Sequence, residues 1–205
     1  AEYWLGLGPE DVVNSRSMHK MVGGLLIARA IADGFINSID DSVADYIPAW
    51  RGTDKAAITI RNVLHMSSGL RWFSIRDRPP FGLSSRRYLD PKWDRVLLED
   101  IPMSFTPGTE YDYSDTTADV MPHIIQGATG KRYAEYFSDA LIKPLAAKGG
   151  FLWINREGGM PHGGCCLMLP PETWLRFGLL LLNGGAWNGQ QLLPGTWRAE
   201  MVQPS

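Results

Sequence analysis

The strongest constraint on the fold is a helix-forming segment that is apolar around most of its circumference. Between residues 18 and 33, apolar side chains recur at close to the helical period, at Met18, Met21, Val22, Leu25, Leu26, Ala28, Ile31 and Ala32. Gly34 stands where a C-terminal cap belongs, so the helix is expected to end there. Because a surface helix keeps a broad polar face, this helix is predicted to be buried.

Most other segments predict helices as well. Asp40–Val43 is expected to open a short helix that Pro48 closes, and Thr59 to cap a helix through about Met66. Further helices are predicted near residues 92–100, 118–128, 133–141 and 171–182, with a proline-rich, loop-rich segment over residues 71–108. Because the Val, Ile and Thr alternation of strands is scarce, the fold class is predicted to be mainly α.

Composition and charge restrict the partners. The 205 residues are 44% hydrophobic and 20% charged, as in an ordinary globular domain, and the net charge of −2 predicts no nucleic-acid partner. Basic residues form no block, so Arg86-Arg87 are expected to belong to a solvated loop. No segment reaches the ~18 apolar residues of a membrane span. The first residues, Ala1–Trp4, lack the pattern of a signal peptide.

The two cysteines are neighbours, Cys165-Cys166. Adjacent cysteines bridge only through a strained ring, so they are predicted to be small buried thiols rather than a disulfide. A metal hydrolase is a further class to weigh, but the four histidines contain no ligand-spaced pair, and His162 with the cysteines does not match a zinc pattern. No metal site is therefore predicted.

Ser17 and Lys20 are the first candidates for catalysis. A spacing of three puts both side chains on one face of a helix, with Ser17 near the positive helix end and Lys20 one turn along. A serine hydroxyl is a poor nucleophile without such a partner. The spacing alone is weak, because a capping serine followed by an exposed lysine gives the same pattern.

Tyr113-Ser114-Asp115 is the second candidate motif. It follows Pro107–Glu110, a turn that would deliver a short exposed loop. A tyrosine carries protons when a cation favours its phenolate form, and Lys20 could supply that cation. The alternative for Tyr113 is a buried aromatic side chain with one hydrogen bond.

Taken together, the motifs resemble the serine hydrolases that include class C β-lactamases, D-alanyl-D-alanine peptidases and other penicillin-binding-protein-like enzymes, related esterases and 6-aminohexanoate-oligomer hydrolases. Five stretches carry the resemblance in the family's order. They are Ser17-x-x-Lys20, Ile39–Val43 with Tyr46–Pro48, Ile58–Arg61 through Ser68–Leu70, Pro107–Thr109 through Tyr113–Asp115, and Leu175–Gly178 through Gly184-Gly185 and Leu192–Pro194.

The resemblance implies a role for each motif residue. Ser17 would be the acylated nucleophile, Lys20 its general base or electrostatic partner, and Tyr113 the relay that protonates the leaving group. Whether Lys20 or Tyr113 takes the serine proton is left open. The substrate would be a small-molecule ester or amide, and no metal or organic cofactor is implied.

Asp115 departs from the family pattern, in which many relatives have asparagine. An ionised aspartate cannot donate to a substrate carbonyl, and beside Lys20 it would stabilise the ammonium form. Asp115 is therefore predicted to bind substrate differently, turning the site away from β-lactams and toward substrates that bear an amine.

The ends of the chain also depart from the pattern. The family fold is an α/β domain with an inserted helical domain, so residues 1–205 are expected to be one truncated domain of that fold, with residues 35–170 as its helical subdomain. N-terminal and C-terminal sheet strands and a late glycine-flanked motif are expected to be missing, and His162–Gly164 is interpreted as a turn before the Leu175 helix. Loss of the sheet would uncover the helix from Met18 to Ile31 and favour a homo-oligomer through exposed apolar helix faces.

Two functions are compatible with these motifs. The first is hydrolysis through an acyl-Ser17 intermediate. The second is a catalytically inactive fragment that serves as a binding or interaction module of the same fold.

Overall fold

The structure of the chain, a computed structural model, describes residues 6–72 and 83–202. The α-helices are α1 (His19–Ala32), α2 (Ile60–Leu64), α3 (Leu83–Leu89), α4 (Trp93–Arg95), α5 (Asp115–Thr129), α6 (Tyr133–Phe137), α7 (Pro171–Leu182) and α8 (Trp197–Met201). Single turns of 3₁₀-helix cover Arg16–Met18, Val43–Asp45, Pro48–Trp50 and Asp54–Ala57, and π-helical turns cover Val96–Asp100 and Ser138–Ile142. The prediction of a mainly helical chain is confirmed.

The strands are short and belong to two antiparallel sheets. They are β1 (Val13–Asn14), β2 (Phe151–Leu152), β3 (Leu167–Leu169), β4 (Ala186–Trp187) and β5 (Gln190–Gln191). β3 lies between β1 and β2, with Val13 opposite Leu169 and Phe151 opposite Met168, while β4 and β5 form a hairpin. The three-stranded sheet thus places the segment before Ser17 beside the segment after Cys166.

Helix α1 is the centre of the core, as its apolar circumference predicts. Val22, Leu25, Leu26, Ile27 and Ala28 have no exposed surface. α5 packs along α1 so closely that a Cβ on Gly23 would lie 2.6 Å from the Met121 sulfur. The expectation that the helix is uncovered from Met18 to Ile31 is therefore wrong for residues 22–28, which α5 and the neighbouring elements cover, whereas Met18 is 50% exposed.

The exposed apolar helix face belongs to α7 instead. Leu175, Leu179 and Leu182 are 60%, 37% and 63% exposed, and their spacing puts them on one side of the helix. The homo-oligomer through exposed apolar helix faces remains a prediction, and α7 is a helix that presents such a face.

None of the helices in residues 6–72 and 83–202 is long and apolar enough to cross a membrane.

Polar caps fix where α2 and α5 begin. Thr59 accepts a hydrogen bond from the Asn62 backbone, and the Asn62 side chain accepts one from the Thr59 backbone, which forms the predicted cap of α2. Ser114 caps α5 by accepting from the Thr117 backbone at 3.1 Å. α5 therefore begins at Asp115, three residues before the predicted start at residue 118.

Candidate active site

Ser17 lies at the head of α1, in the 3₁₀ turn that precedes the helix, and it is exposed. The chain reaches it through a left-handed residue, Arg16, whose φ is 50°. The Asn14 side chain accepts from the Arg16 backbone at 2.9 Å, and the Ser15 backbone donates to the Leu167 carbonyl at 2.9 Å. A non-glycine residue in this region is uncommon, and these hydrogen bonds hold the turn that presents Ser17.

Ser17, Lys20 and Tyr113 meet at one cleft of about 380 Å³. The rest of its wall is mostly apolar and comes from α1, α2, α5, α8 and the loop before α5. These residues are Met21, Gly24, Val63, Leu64, His65, Met66, Tyr111, Met121, Trp197, Glu200 and Met201. The size and the lining, apolar with a few convergent polar groups, are typical of a small-molecule site.

The Lys20 ammonium group is held by three contacts. Its Nζ donates to Asp115 Oδ1 at 2.5 Å and to the Gly164 carbonyl at 2.7 Å. It also lies 4.7 Å from the centre of the Tyr113 ring. The Lys20 side chain is only 9% exposed, so these contacts fix a cation at the inner end of the cleft.

Tyr113 presents its ring to Lys20 and is itself 49% exposed. The alternative of a buried tyrosine is therefore wrong. A cation over an aromatic face is attracted by the ring quadrupole, which holds the two side chains together. Since Ser114 caps α5, Tyr113 sits just before the helix, and its position follows from that cap.

Asp115 lies behind Lys20 as seen from the cleft. Its Oδ1 accepts from Lys20, and its Oδ2 lies 3.5 Å from Arg87 Nη1. As the first residue of α5 it also meets the positive end of the helix dipole. Asp115 is not one of the described residues that line the cleft. Its predicted part in substrate binding stays a prediction.

A buried ion pair that the sequence did not reveal supports these residues. Arg87, with no exposed surface, donates from Nε and Nη2 to the two carboxylate oxygens of Asp119 at 2.7 and 2.8 Å. The expectation that Arg86-Arg87 form a solvated loop is wrong for Arg87, because this bidentate bond pairs its charge in the interior. Asp119 also accepts from Trp93 Nε1 at 3.0 Å and from the Gly164 backbone at 3.0 Å.

Arg87 and Asp119 keep each other charged. Burial alone would raise the pKa of Asp119, but the charge and the hydrogen bonds of Arg87 outweigh it and hold that pKa below its ordinary value. Burial likewise opposes the charged form of Arg87, and the Asp119 carboxylate more than offsets this and raises the pKa of Arg87. The pair is therefore a fixed dipole behind the cleft.

His162–Gly164 pack against this pair, although the sequence indicated only a turn. His162 Nε2 bonds to Asn155 Oδ1 at 2.8 Å, and His162 Nδ1 lies 3.5 Å from Asp119 Oδ2. A Cβ on Gly164 would lie 2.7 Å from Asp115 Oδ1 and 2.9 Å from Arg87 Nη2. Only glycine fits here, because any larger residue would push against the groups that hold Lys20.

Cys165 and Cys166 form a disulfide, so the prediction of two free thiols is wrong. A ring closed between neighbours needs an unusual backbone, and Cys166 adopts it with a left-handed φ of 72°. That conformation depends on the packing of the surrounding chain, which the sequence pattern does not encode. Both residues are buried next to the Gly164 that holds Lys20.

The disulfide gives the first testable prediction. Protein unfolded without reductant in the presence of iodoacetamide should take up no adduct, because both of its cysteines are bonded. After reduction, intact-mass spectrometry should show an adduct on each cysteine. Alkylation of both cysteines in the unreduced sample would contradict the bond.

His19, next to Lys20, is a buried structural residue. Its Nδ1 bonds to the Cys165 carbonyl at 2.9 Å and its Nε2 to the Tyr133 hydroxyl at 3.0 Å. Burial lowers the pKa of His19 from 6.5 to about 4, against the opposing effect of its backbone hydrogen bonds. The ring is thus neutral at pH 7, with Nδ1 donating to the carbonyl and Nε2 accepting from the tyrosine.

Among residues 6–72 and 83–202, no three His, Cys, Asp or Glu side chains are grouped as a metal site.

The second prediction concerns stability against pH. Unfolded His19 binds a proton near pH 6.5, whereas folded His19 binds one only near pH 4. The stability that depends on neutral His19 is therefore complete above about pH 6.5 and is lost as the pH falls to about 4, by roughly 3 kcal/mol. Urea unfolding at pH 7, 5.5 and 4 measures this. The control is His19→Gln, whose free energy of unfolding should change less with pH. If the free energies of unfolding of the two proteins changed with pH in parallel, the effect would be ruled out.

Several known proteins are similar to this chain. The sequence model of the family described as "Beta-lactamase" matches residues 4–162. The 6-aminohexanoate-dimer hydrolase of Paenarthrobacter ureafaciens is 25% identical over 210 residues, which covers 96% of this chain and 52% of that protein. The protein Flp of Staphylococcus aureus (strain MW2) is 27% identical over 139 residues, or 63% of this chain and 26% of Flp. The chain thus spans a quarter to a half of the length of these relatives.

Solved structures share the fold. A Bacillus anthracis protein provisionally named a 6-aminohexanoate-dimer hydrolase superposes with a TM-score of 0.80 at 20% identity, over 97% of this chain and 55% of its own. The octameric penicillin-binding protein homologue of Pyrococcus abyssi superposes with a TM-score of 0.71 at 16% identity, over 95% of this chain and 49% of its own. At such identities the likeness extends to the fold alone.

Proposed function

Because the chain belongs to the β-lactamase family, we propose that it is a serine hydrolase that cleaves an ester or amide bond through an acyl intermediate on Ser17. The observation that carries the proposal is the meeting of Ser17, Lys20 and Tyr113 at one cleft. The relative from Paenarthrobacter ureafaciens, a hydrolase by name, supports the reaction class.

The contacts of Lys20 favour Tyr113 as the proton carrier. The Lys20 ammonium donates to Asp115 Oδ1 and to the Gly164 carbonyl, so it is engaged with these two acceptors. A lysine bonded in this way is not free to take the Ser17 proton, whereas its positive charge stabilises a phenolate that forms beside it. In this mechanism Tyr113 takes the Ser17 proton as the hydroxyl attacks the carbonyl carbon, and then gives it to the leaving group.

Water completes the reaction by attacking the acyl-Ser17 ester, with Tyr113 accepting the proton of the water and returning it to Ser17. The acyl group lies in the cleft, whose apolar wall is built from four methionines together with Val63, Leu64 and Trp197. The favoured substrate is therefore a small molecule with an apolar acyl or leaving group.

A burst experiment tests this function. The chain is mixed with p-nitrophenyl butyrate, and nitrophenol release is followed for the wild type and Ser17→Ala. An initial burst equal to the enzyme concentration in the wild type, absent from Ser17→Ala, is expected of an acyl-enzyme that accumulates before hydrolysis. Absence of any Ser17-dependent release from the folded wild type would refute the proposal and favour the inactive binding module.

Asp115 gives a finer prediction about substrate preference. Its carboxylate offsets the charge of Lys20, so the site attracts anionic substrates such as β-lactams less than an unpaired lysine would. Asp115→Asn should shift the ratio of kcat/KM toward a β-lactam and away from an amino-ended amide by about tenfold, which corresponds to ~1.4 kcal/mol. An unchanged ratio would remove Asp115 from the account of specificity.

A further inference from the structure

We propose that Arg87 is a positioning residue of the hydrolytic site: its bidentate bond to Asp119 and its ion pair with Asp115 keep the Gly164 carbonyl and the Asp115 carboxylate where they hold the Lys20 ammonium group. The catalytic part of this proposal rests on the proposed function, whereas the positioning of Lys20 by Arg87 can be tested without it.

The first line of support is the path from Arg87 to Lys20 through Gly164. Arg87 binds both oxygens of Asp119, and Asp119 Oδ1 accepts from the Gly164 backbone at 3.0 Å. The carbonyl of the same Gly164 accepts from Lys20 Nζ at 2.7 Å. One residue therefore joins the buried pair to the catalytic lysine, with its backbone N–H on one side and its carbonyl on the other.

The second path runs through Asp115. Asp115 and Asp119 are four residues apart in α5, so their carboxylates lie on the same face of the helix. Arg87 lies between them, with Nη1 3.5 Å from Asp115 Oδ2, while Asp115 Oδ1 binds Lys20. The arginine thus orients both carboxylates, and only one of them touches Lys20.

Charge explains why the arrangement needs an arginine. The two cations, Lys20 and Arg87, balance the two carboxylates of Asp115 and Asp119 in a region where Arg87 and Asp119 are 0% and 2% exposed. Removal of Arg87 leaves Asp119 buried without its partner and the Lys20 region with one net negative charge. A lysine in place of Arg87 keeps the charge but not the bidentate geometry.

The test measures the exposure of the Lys20 amine, which needs no enzymatic activity. Folded wild type, Arg87→Met, Arg87→Lys and Gly164→Ala are treated briefly with acetic anhydride, and acetylation at each lysine is read by peptide mass spectrometry. Lys20 acetylation is expected to rise several-fold in Arg87→Met and Gly164→Ala, and less in Arg87→Lys. Lys55, which is buried elsewhere and bonded to the Leu98 carbonyl, should stay protected in every variant.

Arg29→Met is the matched control. Arg29 also binds an aspartate, Asp33, through two nitrogens, but it does so at the far end of α1. Loss of this pair should leave Lys20 protected. Equal protection of Lys20 in the wild type, Arg87→Met and Gly164→Ala would overturn the proposal. A parallel rise at Lys55 would also overturn it, because it would mean that the variants only loosen the fold.

The catalytic consequence is measured on the same proteins with a fluorophosphonate probe. Arg87→Met and Gly164→Ala should lower the maximal rate of Ser17 labelling by about 10²-fold, the effect of a displacement near 1 Å. The probe concentration at half-maximal rate should stay unchanged, because Arg87 does not line the described cleft. If the wild type is not labelled, the proposed function fails, and the acetylation result still decides whether Arg87 positions Lys20.

Discussion

Replacement of Lys20 by methionine is expected to lower the rate of Ser17 acylation by about 10³-fold, within the range lost when a catalytic acid–base group is removed. Methionine fills a similar space but carries no charge, so it can neither hold the Tyr113 ring nor stabilise its phenolate. The acylation rate is measured as the burst rate with p-nitrophenyl butyrate.

The fold should survive this change. Asp115 keeps a second cation in Arg87, 3.5 Å away, so its carboxylate is not left without a partner. Circular dichroism and the urea midpoint are expected to change little. Lys55→Met is the control, because it also removes a buried lysine but lies outside the cleft. A loss below tenfold in Lys20→Met, or an equal loss in Lys55→Met, would contradict the role of Lys20.

Replacement of Gly69 by alanine is expected to destabilise the protein by about 3–5 kcal/mol, a large share of a typical unfolding free energy. Gly69 has a φ of 77°, where an L-residue costs roughly 1–3 kcal/mol. Its new Cβ would also lie 2.2 Å from the Phe105 carbonyl oxygen, so backbone must move. Urea unfolding of the wild type and the variant measures the difference.

Gly52→Ala separates the two effects. Gly52 has a φ of 73°, nearly that of Gly69, but a Cβ added to it would have no atom within 4 Å. It should therefore lose only the conformational part, about 1 kcal/mol. Equal losses of unfolding free energy in the two variants would mean that the contact with Phe105 does not contribute.

Gly69→Ala should affect the site as well. The Gly69 carbonyl accepts from the Ser104 backbone at 2.7 Å, and the Asp112 backbone donates to the Met66 carbonyl at 2.8 Å. These bonds attach the segment before Tyr113 to the segment after α2. A displacement at Phe105 is therefore expected to shift Tyr113, which faces Lys20.

Local sequence signals predicted much of the helical structure. The apolar circumference of α1 and its cap near Gly34 follow from spacing and from the left-handed preference of glycine, and the structure places them as expected. Thr59 and Asn62 form the cap of α2, again a local signal. Elements defined by contacts within a few residues are the ones that a sequence can specify on its own.

The supporting groups of the site were missed because they depend on long-range packing. Arg87 lies in a polar stretch that resembles a surface loop, and its burial follows only from meeting Asp119, 32 residues away. One local signal was available: if Ser114 is taken as the cap of α5, then Asp115 and Asp119 fall on one face. The close packing of Gly164 against Asp115 and Arg87 joins residues that are far apart in the chain, which no local pattern encodes.

The family resemblance groups Ser17, Lys20 and Tyr113 by their motifs, and the cleft contains all three. The expected loss of sheet strands at both ends, and the boundaries of the helical subdomain, remain predictions. Asp115 was expected beside Lys20, and its carboxylate binds that lysine, while its part in substrate binding stays a prediction. The motifs indicated the chemical groups of the proposed site, and the structure adds which of these groups contact one another.

The central claim, an activated nucleophile at Ser17, is tested most directly by intact-mass spectrometry after incubation with a fluorophosphonate probe. A single adduct on the wild type that maps to Ser17, and none on Ser17→Ala, is the predicted result. An unlabelled, folded wild type, or labelling that persists in Ser17→Ala, would contradict it.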